Sequence, residues 1–173
     1  RLGVVPLSNF DPLPLLQRLH SLHPSMRFEL SSLSSEQILD QLASNRLDLG
    51  VSYLERLDSE RFDSLELAET RMGLMYDQRH FSFGDEPLSW ESLIELPLGM
   101  LTGGMHFRQS IDHNFHTRGL EPQPLIQTDA VHQLLQAVQG GFCCAIMPLD
   151  GGLERLTEHL RLQPIEQAQT IAR

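Results

Sequence analysis

The sequence predicts an α/β fold built as two lobes, and three observations predict it. Short apolar runs alternate with segments of helical period. The alternation occurs twice, and a charged, turn-like stretch near residues 57 to 70 separates the two occurrences. Strand, helix, strand, helix, strand is the order of a parallel sheet with helical crossovers, so each occurrence predicts its own lobe.

In chain order, Leu2 to Leu7 is a continuous apolar run that reads as a strand buried on both faces. Asn9 or Asp11 is placed to cap a helix carrying Leu15, Leu16, Leu19 and Leu22. Pro12 and Pro14 suit its first turn, where an amide donor is spare, and Pro24 closes it. Arg27 to Leu30 reads as a second strand. Ser34-Ser35-Glu36-Gln37 has the spacing of a capping box and opens a helix with Ile38, Leu39 and Leu42; Leu47 to Leu54 reads as a third strand. Beyond the break, Leu65 to Tyr76 is extended and Gly84 to Pro87 is a turn. Ser89 caps a short helix with Trp90, Leu93 and Ile94, and Leu96 to Leu101 is a strand ending at Thr102-Gly103-Gly104. Phe107, Ile111 and Phe115 share one helix face, and Gly119 stops that helix. Leu125 to Gln127 reads as a strand, Val131 to Val138 as a helix ended by Gly140-Gly141, and Phe142 to Met147 as a strand. Leu153, Leu156 and Leu160 mark a last helix.

Composition narrows what the lobes can do. At 173 residues, 40% apolar and 21% charged, the chain can bury a real core. No apolar run reaches the roughly 18 residues that span a bilayer, and Arg1 to Pro6 reads as a strand rather than a signal peptide. A formal charge of −10 opposes a grip on a phosphate backbone, which takes a basic face. All 13 basic residues are Arg, so chemistry that needs a lysine amine, as in Walker-type nucleotide binding or Schiff bases, is excluded. Cys143 and Cys144 are neighbours, a spacing that strains a disulfide; they read as reduced, buried strand residues of a cytoplasmic protein.

Three segments together resemble one family. Val138-Gln139-Gly140-Gly141-Phe142-Cys143-Cys144-Ala145-Ile146-Met147-Pro148 runs from a helix end at glycine through a strand into proline. Arg1 to Pro6 is followed by Pro14, a helix and His23-Pro24. Ser35 is followed by Leu39, Leu42 and Arg46-Leu47-Asp48-Leu49-Gly50. In this order and at these separations they resemble the effector-binding domain of LysR-type transcriptional regulators over nearly the whole chain. Cys143 stands where the family usually has a second glycine, and Leu7 where it often has Ser or Thr.

The resemblance implies two Rossmann-like lobes joined by crossover strands, the fold of type 2 periplasmic binding proteins. Lobe I is expected over residues 1–70 plus 166–173, and lobe II over 71–165. It further implies a homodimer or homotetramer, and DNA contact through a helix-turn-helix domain outside this sequence.

A ligand of such a fold sits beyond the carboxyl ends of the strands, where helix N-termini present unpaired amides that favour a carboxylate or another small anion. The candidates are Ser8, Asn9, Ser34, Ser35, Thr102, Gly103, Phe107 and Thr128, with His106 beside Phe107 as a second wall residue. Ser35 leads, and its competing reading is a plain helix cap. Arg108 is a candidate charge clamp or a solvated helix arginine. His113 and His116 have a metal-pair spacing without a third ligand, so neither metal nor cofactor is expected. Asp58, Glu60 and Asp63 read as a solvated charge run. Ser, His and Asp occur in no order that makes a triad, so the expectation is a sensor and not an enzyme. Two alternatives share the fold: an exported solute-binding protein, and a transferase or dehydratase on the same scaffold.

Overall fold

The structure is a computed structural model that describes residues 1–8, 10–53, 60–67, 71–149 and 158–166. Two sheets organise these residues. The first holds β1 (Leu2–Val4), β2 (Leu30–Ser32) and β3 (Leu49–Val51) in the order β2-β1-β3, all parallel. Its crossovers are α1 (Leu13–Leu22) and α2 (Ser35–Ala43). The second holds β4 (Met72–Asp77), β5 (Leu98–Leu101), β6 (Ile126–Thr128), β7 (Cys144–Pro148) and β8 (Leu160–Pro164), in the order β6-β5-β7-β4-β8. Here β5, β6 and β7 are parallel, and β4 runs antiparallel to both of its neighbours. The helices α3 (Trp90–Leu93), α4 (His106–His116) and α5 (Val131–Gln139) belong to this second sheet.

The second sheet is buried on both faces, which is why its strands read as apolar runs rather than as alternating ones. Met72, Leu74, Met100, Cys144 and Ile146 meet Trp90 of α3 and Phe107, Ile111 and Phe115 of α4 on one side. Met75, Leu101, Ala145 and Met147 meet Leu134 and Val138 of α5 on the other. Trp90 and Phe115 lock edge to face at 4.8 Å, and the indole N–H donates to the Glu166 carbonyl.

In the first sheet the close packing of α2 rests on two glycines. Gly3 of β1 and Gly50 of β3 are register partners, and the fully buried Ile38 lies over both. A β-carbon at Gly50 would stand 2.4 Å from Ile38 Cγ2, and one at Gly3 would stand 3.2 Å from Ile38 Cγ1 and 2.6 Å from Leu47 Cδ1. The missing side chains let the helix approach the strands, the usual reason for glycine inside a strand. By contrast α1 buries no residue, and Leu13, Leu22 and Leu30 stay half exposed or more among the described residues.

Several expectations need correction. Leu160 does not continue a helix: it begins β8 and pairs with Asp77 of β4, the open edge of that strand being a stronger partner than local helical period. Leu153 and Leu156 lie outside the described residues. The second strand is Leu30–Ser32 rather than Arg27 to Leu30, because pairing with Leu2 to Val4 sets it. Phe142 is an exposed turn residue, and its strand begins at Cys144. Leu7 does not extend β1: its backbone is left-handed at φ 60, and its side chain packs against both core clusters.

Candidate functional site

The carboxyl ends of the parallel strands carry the turns that lead into the helices, and one cavity of about 450 Å³ opens among them. Its walls come from both sheets. Ser34, Ser35, Glu36, Leu39 and Asp40 belong to the start and one face of α2, and Tyr53 lies just past β3. Gly104, His106 and Gln109 come from the turn after β5 and the start of α4. Arg61 and Phe62 stand in the stretch between the sheets, with the guanidinium 5.6 Å over the phenyl ring. A volume of this order suits a small organic ligand.

The α2 wall is a donor cluster because of how that helix begins. Ser34, in extended conformation, is the N-cap: its Oγ accepts from the Gln37 backbone N–H at 3.2 Å, while Gln37 Oε1 accepts from the Ser34 N–H at 2.9 Å. With Ser34 as the cap, Ser35 is the first helical residue and is relieved of capping. Its Oγ is buried and has no hydrogen-bond partner among the described residues. A buried hydroxyl without a partner costs about 1 to 3 kcal/mol. The first-turn amides of Ser35 and Glu36 likewise have no acceptor within the helix, and the helix dipole adds positive potential there. Three donors and a positive helix end therefore border the same space.

Across the cavity, Tyr53 and His106 stack at 4.2 Å between ring centroids and 20° between planes. One ring follows a strand of the first sheet and the other opens a helix of the second, so the pair crosses between the sheets. Tyr53 is buried, and both rings border the cavity.

The sequence matches the family described as the LysR substrate binding domain over residues 1–172. This chain belongs to that family. Solved structures agree in fold at low identity. The regulatory domain of CcmR from Synechocystis PCC6803, in complex with 2-PG, is 16% identical with a TM-score of 0.82, covering 99% of this chain and 83% of that one. The effector binding domain of QuiR in complex with shikimate is 14% identical with a TM-score of 0.77, covering 99% and 82%. A full-length BenM mutant is 22% identical with a TM-score of 0.77, and this chain spans only 58% of its length. The expected type 2 periplasmic-binding-protein fold is thus the observed one, and a regulator's ligand-binding domain stands above the exported solute-binding alternative.

Within this LysR domain the candidate residues fall into three places. Ser34 and Ser35 line the cavity. Thr102 and Gly103 immediately precede the wall residue Gly104; the Thr102 N–H donates to the Thr128 carbonyl at 3.0 Å, and the Gly103 carbonyl accepts from Gln109 Nε2 at 3.4 Å. The others point elsewhere. Phe107 is 2% exposed and belongs to the core, so the wall position beside it falls to His106. The Thr128 hydroxyl is committed to the turn before α5, donating to Gln133 Oε1 at 2.8 Å and accepting from the Ala130 N–H at 3.1 Å. Ser8 sits in the turn after Leu7 and is not a described wall residue; Asn9 lies outside the described residues. Arg108 is likewise engaged within its own lobe, donating to Asp112 Oδ1 at 2.7 Å, the Leu101 carbonyl at 2.7 Å and Gln127 Oε1 at 3.0 Å. Of the charge run, Glu60 and Asp63 are described and Asp58 is not.

Tyr53, Arg61, Phe62 and Gln109 were not singled out by sequence reasoning. For Gln109 a signal existed: the apolar set Phe107, Ile111 and Phe115 turns one face of α4 inward, which sends His106 and Gln109 elsewhere. Cys143 and Cys144 are free, fully buried and remote from the cavity walls; burial pushes their thiols up to about 11 and about 12.

Proposed function

We propose that this chain is the sensing part of a cytoplasmic LysR-type regulator, and that a small anion or carboxylate binds in the cavity between the sheets. The observation that carries the reading is the buried, unpartnered Ser35 Oγ at the N-terminus of α2. In this reading a carboxylate accepts from that hydroxyl and from the first-turn amides, while Gly104 and His106 meet the ligand from the other lobe. Of the sequence candidates, Ser34 and Ser35 are retained as the binding edge, with Thr102 and Gly103 as the turn that sets the opposite wall. The lobe division is 1–70 plus 166–173 and 71–165, supported by a first sheet that ends at Val51 and a second that begins at Met72.

A guest that touches both lobes favours one arrangement of them by its differential affinity. The change reaches DNA through a homodimer or homotetramer and a helix-turn-helix domain outside this sequence. The exposed Leu13, Leu22 and Leu30 on α1 and the edge strand β2 support an oligomer. The domain is a binder and not an enzyme, with no metal or cofactor in the mechanism.

The test is calorimetric titration of small carboxylates into the native chain and Ser35→Ala. Losing a hydrogen bond to a charged group weakens binding roughly tenfold or more. Because Ser34 is the cap, folding stability changes little. If affinity for every binding acid is the same in both proteins, the site is misplaced.

A further inference from the structure

The same cavity carries a second feature that its donor edge does not explain. Glu36 and Asp40 lie four residues apart on α2 and both border the space, while Arg61 is the one described wall residue with a permanent positive charge. Two carboxylates therefore stand against one guanidinium, in a chain whose formal charge is −10. One negative charge on a guest is answered by Arg61 and the α2 N-terminus. A second is not, because any other position in so small a space lies within a Debye length of both carboxylates.

We infer that the cavity selects singly charged small acids, hydroxy and amino acids included, and rejects dicarboxylates and phosphate esters. The inference rests on the site proposed above and deepens it. The donors at Ser35 recognise an anion; Glu36 and Asp40 limit how much negative charge may accompany it. A hydroxyl or ammonium elsewhere on the guest finds acceptors on those two side chains, whereas a second carboxylate finds repulsion. Both side chains are exposed, so solvent screens them, and each disfavours an added charge by a factor of about three. Together the expected discrimination is about tenfold.

The experiment compares matched pairs that differ by one acidic group: glycolate with tartronate, lactate with malate, and glycolate with 2-phosphoglycolate. Each is titrated into the native chain and into Glu36→Gln/Asp40→Asn, with circular dichroism confirming that the variant folds. The expected result is that each monoacid binds the native chain about tenfold more tightly than its partner, and that the variant reduces the gap to about threefold or less. The inference is overturned if a diacid or the phosphate ester binds the native chain as tightly as its monoacid. It is equally overturned if the gap survives in the variant, or if no monoacid binds. Ser35→Ala separates the two levels of the reading. If it leaves all affinities unchanged, the site itself is wrong. If it weakens the monoacids while the pairs show no gap, the site stands and charge selection does not.

Discussion

The stack of Tyr53 on His106 lets the linkage between the lobes be measured as an energy. The rings lie 4.2 Å apart and nearly parallel, and Tyr53 is 7% exposed. An aromatic pair of this geometry contributes about 0.5 to 1.5 kcal/mol beyond the area it buries. Both residues make other contacts as well. Single replacements therefore mix the pair with everything else each ring touches, and a double-mutant cycle with Tyr53→Leu, His106→Leu and the double variant isolates the pair. Urea unfolding followed by two probes supplies the four free energies, and coincident transitions establish that one cooperative unit is being measured. The expected coupling is about 1 kcal/mol, which for a chain of this length corresponds to about 2 to 4 °C in thermal midpoint. Because the rings come from opposite lobes and border the cavity, the same cycle repeated with a bound acid should give a different coupling. A coupling below about 0.3 kcal/mol with and without ligand would refute the claim that this contact ties the lobes together.

Two further predictions concern the framework that holds the site. Gly50→Ala forces a β-carbon against Ile38, a fully buried β-branched residue, and is expected to destabilise by about 1 to 3 kcal/mol; because α2 must shift, ligand affinity should fall too, and an unchanged denaturation midpoint would contradict the packing described. Cys143 and Cys144 should resist iodoacetamide at pH 8 in the folded chain, since burial raises both thiols to about 11 or above and so withholds the thiolate below that range; they should react only on unfolding, which mass spectrometry of the alkylated protein reads directly.

Those same local features show which parts of the molecule could be read from sequence. The start of α2 was legible because its signal is local: a serine three residues before a glutamine specifies a reciprocal pair of hydrogen bonds, and the structure contains both. The capping role went to Ser34 and so freed Ser35, a distinction that spacing alone leaves open because either serine is a competent cap. The second sheet was legible because burial on both faces leaves unbroken apolar strands, such as Cys144–Pro148 and Met72–Asp77. Strand β2 was displaced by two to three residues because Ser31 and Ser32 carry little strand signal; their extended conformation is imposed by Gly3 and Val4. Leu160 was misread for a related reason, since a helical period among leucines says nothing about an open strand edge elsewhere in the chain.

The opposite wall of the cavity was hidden by distance along the chain, and the way it was hidden is informative. Tyr53 and His106 are far apart in sequence and meet only because each follows the carboxyl end of a strand in a different sheet. What the sequence does contain is the inward direction of α4. Phe107, Ile111 and Phe115 recur at four-residue intervals and are all buried, which fixes that face against the core. A helix that commits Phe107 to the core turns the preceding residue roughly 100° away from it. The residue able to meet a ligand at this turn is then His106, and an aromatic wall assigned to Phe107 conflicts with the very periodicity that identified the helix. The charge of the wall follows the same logic on α2: Ile38 is held over Gly3 and Gly50, so Glu36 and Asp40, two residues to either side of it, are carried to the cavity face. The packing of one isoleucine on two glycines thereby sets both the position of the donor edge and the sign of the charge beside it.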